Sequence, residues 1–281
     1  MTPIVHHPFV IPLPFWPHEV TGFGLAVLLA FVIAQIVSQQ ELLRRGYQKE
    51  ADAIPDLILA CVLGTLVGGK LYYAGIVMQD WSALWGRAGF VFWGGFIGSV
   101  IACWIVIQRK NLNFARFSDV AGIAIAAGYS VGRTGCWAVG DDYGKPWSGP
   151  LSVMFPEGAP PSTAANMNRI FGTPIPDGVS PDTVLAVHPT QLYETALGFL
   201  MFLVLWRFRG HRHAEGWLFG MYLVLAGAER FFIEFFRAKD DRFAMGLTLA
   251  QIIALSLAVT GVIVMTMRSR PAPPPEVRAA A

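Results

Sequence analysis

The chain has 281 residues, 54% of them hydrophobic and 14% charged, with a formal net charge of +2. Soluble domains carry about 25% charged residues, so a soluble globular enzyme is excluded. Several apolar runs reach the roughly 20 residues a helix needs to cross a bilayer, which points to an all-α integral membrane protein with one polytopic domain over residues 1–270.

Cys61, Cys103 and Cys136 are too few, and too apolar in setting, for a disulfide framework. No Cys/His spacing suggests a metal site. The N-terminal stretch lacks a basic leader and is broken by Pro3, Pro8, Pro12, Pro14 and Pro17. It reads as a short interfacial arm rich in Phe and Trp, not as a cleavable signal. Seven spans follow, at about 20–39, 54–78, 89–108, 118–139, 191–208, 216–237 and 246–267. Arg44, Arg45 and Lys49 follow the first span, and Arg109, Lys110 and Arg116 the third. Arg207, Arg209 and Arg212 follow the fifth, and Arg268, Arg270 and Arg278 the seventh. The opposite side holds only Arg87, Lys145, Arg169, Arg237, Lys239 and Arg242. The positive-inside rule therefore places the N-terminus outside and the C-terminus in the cytoplasm. Residues 140–189, rich in Pro, Gly, Ser and Thr, fall outside and are expected to form a small head over the membrane site. The tail, 271–281, reads as a disordered polyproline-type end.

Ionisable groups within spans are functional by default. Here they are Lys70, Asp119, Arg133, Glu194, Glu229, Arg230 and Glu234. Asp119 suits the cap of the fourth span, in FSDVAG. Lys70, after Gly64, Gly68 and Gly69, either snorkels outward or faces a cavity. Arg133 lies in VGRTGCWAVGDDYG (131–144), among Gly132, Gly135, Gly140 and Gly144 and ahead of Asp141 and Asp142. An arginine at that depth is costly unless it holds an anion. Arg230 and Glu234 stand four apart on the sixth span and Arg237 follows three later. This ladder is either a bundle-stabilising ion pair or, for Arg230, the second of two guanidinium groups on one phosphodiester. HPTQLYE, His188 to Glu194, opens the fifth span. Pro189 suits N1 of a helix, and Gln191, Tyr193 and Glu194 come near its mouth. His188 is either a proton acceptor near neutral pH or an interfacial helix-start residue. FWGGFIG, 92–98, offers Gly94 and Gly95 for close approach of a helix or a lipid. Cys136, alone in an apolar helix, reads as inert.

These blocks, in this order and over most of the chain, resemble the bacterial prolipoprotein diacylglyceryl transferases. GRTGCWAVGDDYG (132–144) is similar to the family's signature, HPTQLYE to its H-P-[ST]-Q-L-Y-E, and ERFFIEFFR to its R-F-x-x-E-F-F-R. The resemblance implies transfer of the diacylglyceryl group of phosphatidylglycerol to the thiol of a lipobox cysteine in a preprolipoprotein signal peptide. Glycerol 1-phosphate leaves, at the outer face of the bacterial inner membrane. It implies membrane lipids and the precursor as partners, no nucleic acid, and no metal or organic cofactor. By the same carry-over Arg133 and Arg230 are needed for activity, and Asp119, Gly144 and Glu234 match other motif positions. Trp93 stands where many members carry histidine, Cys136 and Val139 where they carry asparagine, Asp141 for glutamate and Phe23 for tyrosine. Catalysis by the two arginines, with His188 or Asp141 taking the proton, is the expectation. The substrate-contact set is Arg133, Arg230, Gly94, Gly95, Gly135, Gly144, Tyr143, Gln191, Tyr193, Glu194 and Glu234. A catalytically silent relative that binds anionic lipid or precursor, and a small-anion transporter, are the alternatives.

Overall fold

The structure is a computed structural model that describes residues 3–12, 19–86, 89–174, 178–238, 242–244 and 246–270. The tail expected to be disordered, 271–281, lies outside the described residues, as do Phe15 and Trp16 of the N-terminal arm. The helices are α1 (Gly22–Arg44), α2 (Gln48–Asp52), α3 (Ile54–Tyr72), α4 (Phe92–Arg109), α5 (Phe114–Val139), α6 (Ala164–Phe171), α7 (Thr190–Phe208), α8 (Trp217–Ile233) and α9 (Leu249–Met267). Helix α3 runs on through a π-helical turn, Tyr73–Val77, and a 3₁₀ turn covers Trp81–Trp85. Each of the seven expected spans coincides with a long helix. Four stretches are long and apolar enough to cross a membrane: Gly22–Arg44, Gln48–Val77, Phe92–Arg109 and Leu249–Met267. The other three long helices, α5, α7 and α8, are those that carry Arg133, Glu194 and Arg230. Helix α8 stops at Ile233, four residues short of the expected edge, so Arg237 lies beyond it.

The all-α expectation needs one amendment. Short strands β1 (Ile4–Val5), β2 (Val10–Ile11), β3 (Val20–Thr21), β4 (Val153–Met154), β5 (Ala186–Val187), β6 (Arg242–Ala244) and β7 (Leu247–Thr248) are also present. Strands this short carry almost no periodicity to read.

Within the stretch read as one membrane domain, two compact units are distinguished, residues 35–120 and residues 1–34 with 121–281. In the first, α3 and α4 form a close antiparallel pair. A Cβ on Gly64 would lie 2.4 Å from the carbonyl oxygen of Gly98, and one on Gly68 2.2 Å from that of Gly94. Only glycine admits backbones this close. Leu42, Leu57, Ile107, Phe117 and Val120 make the unit's apolar core. Lys70 donates to the carbonyl of Gly86 at 2.5 Å and lies over the ring of Phe90. Asp119 does not cap α5. Asn113 does, accepting from the Arg116 N–H at 3.1 Å, and Asp119 is buried in the helix beyond the cap, 4.0 Å from Arg45.

In the second unit the stretch read as a head, residues 140–189, contributes β4, α6 and β5. Its sheet has the order β1-β4-β5, with β1 parallel to β4 and β4 antiparallel to β5. Tyr143, Val153, Phe155, Met167 and Val187 form its core. Thr163 caps α6 through the Asn166 N–H, and Gly172 ends it at φ 70. Helices α8 and α9 also meet through glycine: a Cβ on Gly227 would lie 2.5 Å from the Ala254 carbonyl oxygen.

Replacing Gly68 by valine should force α3 and α4 apart at a cost of about 1–3 kcal/mol, read as a lower thermal midpoint in detergent. Gly24→Ala is the control, since only Thr21 Oγ1, at 3.7 Å, approaches its position. Equal midpoints for the two variants would refute the close-packing account.

Candidate active site

Arg133, on the last two turns of α5, and Arg230, on the last turn of α8, come from separate helices and meet at one carboxylate, that of Glu194. Glu194 lies on the first turns of α7 and its side chain is 2% exposed. The Nη2 of Arg133 donates to Glu194 Oε2, and Arg230 Nη1 stands 3.8 Å from Oε1. Arg237 joins from the segment after α8, with Nη1 3.9 Å from Oε1. Two further carboxylates complete the network. Asp142 accepts from Arg133 at 2.9 Å and from Arg237 at 3.2 Å. Glu234 accepts from Arg230 at 2.5 Å. Three guanidinium groups therefore share three carboxylates, with Glu194 common to all three.

Local backbone chemistry sets this up. The GDDYG turn enters at Gly140, φ 68, and passes through Asp142, φ 57, a left-handed conformation that aspartate tolerates better than most residues. The start of α7 grips the turn: Thr190 Oγ1 donates to the Asp142 carbonyl at 2.7 Å and Gln191 Nε2 to the Asp141 carbonyl at 2.6 Å. At Gly144 a Cβ would sit 2.4 Å from the Phe236 carbonyl oxygen and 2.8 Å from His188 Cβ. The Gly144 N–H donates to the His188 carbonyl, and the Lys145 N–H to that of Phe236. The three sequence blocks are thus fastened together at one glycine. Two buried polar atoms at the site, Arg133 Nε and Gln191 Oε1, have no hydrogen-bond partner among the described residues.

Arg133, Arg230, Glu194 and Glu234 are brought together as the sequence suggested, and Gln191 and Asp141 lie on their rim. Other expected contacts fall elsewhere. Tyr143 is buried in the head, stacked on Phe155 with its hydroxyl donating to the Pro160 carbonyl, so it has no face for a substrate. Gly135 lies where α5 meets α1, with Ala26 Cβ 2.9 Å from its Cβ position. Gly94 is accounted for by Tyr72 and Gly68 of α3, whereas Gly95 lines a small apolar cleft of about 250 Å³ with Thr65, Phe92 and Phe96. His188 and Tyr193 form an aromatic group with Trp147 and Phe236. Trp147 stacks on the imidazole at 4.3 Å, and Nδ1 lies 3.3 Å from the Tyr193 hydroxyl. Among the described residues neither bonds Arg133 or Arg230. Sequence reading left out Asp142 and Arg237. Both had a signal: Asp142 in the acidic pair of the glycine turn, Arg237 as third member of the Arg–Glu–Arg ladder.

The model of the prolipoprotein diacylglyceryl transferase family matches residues 9–267, nearly the whole chain and every residue of this network. The chain belongs to that family. A phosphatidylglycerol–prolipoprotein diacylglyceryl transferase of Xanthomonas axonopodis pv. citri is 31% identical over 272 residues, 90% of this chain and 89% of its own. One from Xanthomonas oryzae pv. oryzae is 32% identical with the same coverage. One from Nitratidesulfovibrio vulgaris is 28% identical over 89% of this chain and 91% of its own. As a prolipoprotein diacylglyceryl transferase family member the chain is a multi-pass membrane protein.

In this family member two adjacent aspartates titrate in opposite directions. Burial and the neighbouring Asp142 charge push the Asp141 carboxyl above the usual range. Burial acts the same way on Asp142, but Arg237 and Arg133 outweigh it and hold its carboxyl below that range. The depressed Asp142 contributes stability that is present above the ordinary aspartate value of about 3.9 and is lost as pH falls through the folded value. The raised Asp141 disfavours the folded state once pH climbs past its unfolded value. Thermal scans against pH should therefore show Asp142→Asn destabilised at neutral pH, with the difference shrinking in acid, and Asp141→Asn stabilised at neutral pH. The same sign of effect for both variants would contradict the assignment.

Proposed function

We propose that the protein transfers the sn-1,2-diacylglyceryl group of phosphatidylglycerol to the lipobox cysteine thiol of preprolipoproteins, forming a thioether and releasing glycerol 1-phosphate. The observation that carries this reading is the convergence of Arg133 and Arg230, from different helices, on a single anion position held by Glu194. A phosphodiester meeting these guanidinium groups is gripped bidentately by charges that persist at any accessible pH. In a low-dielectric site the same contacts strengthen as charge develops on the leaving phosphate. Gln191 Oε1, buried and without a partner among the described residues, is an acceptor suited to a headgroup hydroxyl. Charge asymmetry supports seven spans with the N-terminus and head on the periplasmic side of the inner membrane. Orientation of this kind puts the arginines where secreted precursors arrive.

The acceptor thiol, with a pKa of about 8.5, is a few per cent thiolate at neutral pH, so the base need only raise that fraction. Of the two bases suggested by sequence, His188 is engaged with Trp147 and Tyr193. Burial, helped by Lys145, lowers its pKa and leaves the ring neutral. Asp141 directs Oδ1 at the Asp142 N–H at 2.7 Å.

Purified protein given radiolabelled phosphatidylglycerol and a lipobox peptide should label the peptide. Arg133→Gln and Arg230→Gln should each cut transfer by at least about 10²-fold. Lipid retained by the wild type without any thioether would instead identify a silent binding relative, and anion flux in liposomes a transporter.

A further inference from the structure

We propose that Glu229, hydrogen-bonded by Tyr129, is the proton acceptor for the thiol. The inference rests on the transfer reading above. Any such transfer releases one proton: the S–H bond breaks, the sulfur lone pair forms the new C–S bond, and the C–O bond electrons stay on the departing phosphate. A carboxylate that takes that proton must not be locked as an anion. Asp142, Glu194 and Glu234 are each within 4.0 Å of arginine, and protonating any of them would strand a half-buried guanidinium. Glu229 is different. Among the described residues it has no ion pair, and its hydrogen bond comes from the neutral Tyr129 hydroxyl, at 3.1 Å to Oε1, which leaves Oε2 to receive the proton.

Position supports the role. Tyr129 lies one turn before Arg133 on α5, and Glu229 precedes Arg230 on α8. The pair thus joins the two arginine-bearing helices just inside the arginines. The groups around Glu229 are Tyr129 and Arg133 from α5, Tyr222 and Arg230 from α8, and Arg237 beyond it. Of the other helices packed on α8, α7 brings Tyr193, Glu194 and Arg207, and α9 no titratable side chain. The nearby arginines favour delivery of a thiolate without capturing Glu229 themselves.

The test is the pH–rate profile of the full-length protein with radiolabelled phosphatidylglycerol and lipobox peptide, run beside phosphatidylglycerol binding. Glu229→Gln should lose about 10²-fold in transfer at neutral pH. It should recover as pH approaches the thiol value of about 8.5, with lipid binding unchanged. Tyr129→Phe should show a smaller loss of the same shape. Arg133→Gln, by contrast, should stay inactive at every pH. A Glu229→Gln profile parallel to wild type overturns the assignment, as does alkaline recovery in Asp141→Asn but not in Glu229→Gln. If Glu229→Gln fails to fold, an unaltered Tyr129→Phe profile overturns it. A wild type that transfers no lipid at any pH fails the transfer reading itself, whereas the outcomes above fail only Glu229.

Discussion

Glu194 is the anion on which the membrane site depends. Three guanidinium groups from two helices and a following turn lie within 4.0 Å of its carboxylate, whose side chain is 2% exposed. Charged groups taken out of water cost several kcal/mol each unless they are paired and hydrogen-bonded, and inside a membrane they cluster or face a cavity. Without this carboxylate the arginines would repel one another across the space where a phosphate is read to bind. With it, they are held close, partly desolvated, and oriented. On the proposed reading, the same carboxylate shares its arginines with an entering phosphate, and the network's strength then bears on affinity as well as stability.

What delivers Glu194 to that point is the way α7 begins. Thr190 and Gln191 on its first turn bond the carbonyls of Asp142 and Asp141, so the start of the helix is tied to the acidic turn. Asp142 in turn faces Arg133 and Arg237. The turn, the helix start and the end of α8 are three parts of one hydrogen-bonded and ionic assembly, and Gly144 is the point where their backbones come closest.

Much of this was legible from sequence because membrane chemistry makes charge conspicuous. Arg133, Glu194, Arg230 and Glu234 stand out in apolar helices, and the structure does gather them. The positions of the long helices were legible too, and four of them through unbroken apolar length. Residues whose task is set by partners far along the chain were not. Tyr143 sits beside the charged turn in sequence yet turns into the head, since its ring stacks on Phe155. Gly135 resembles a lipid-contact glycine until α1 is seen against it. Asp119 looks like a cap because aspartate so often is one, but the helix starts earlier, at a turn closed by Asn113. The head's short strands had no pattern long enough to register.

The parallel pairing of β1 with β4 joins Ile4 to Val153 and Val5 to Met154, while β5, at Ala186 and Val187, flanks β4. Ile4 and Val5 are therefore stitched to a strand that lies about 150 residues later in the chain. Contacts this distant along the chain are slow to close. The sheet consequently cannot close until α1 through α5, which lie between β1 and β4 in the chain, have been made.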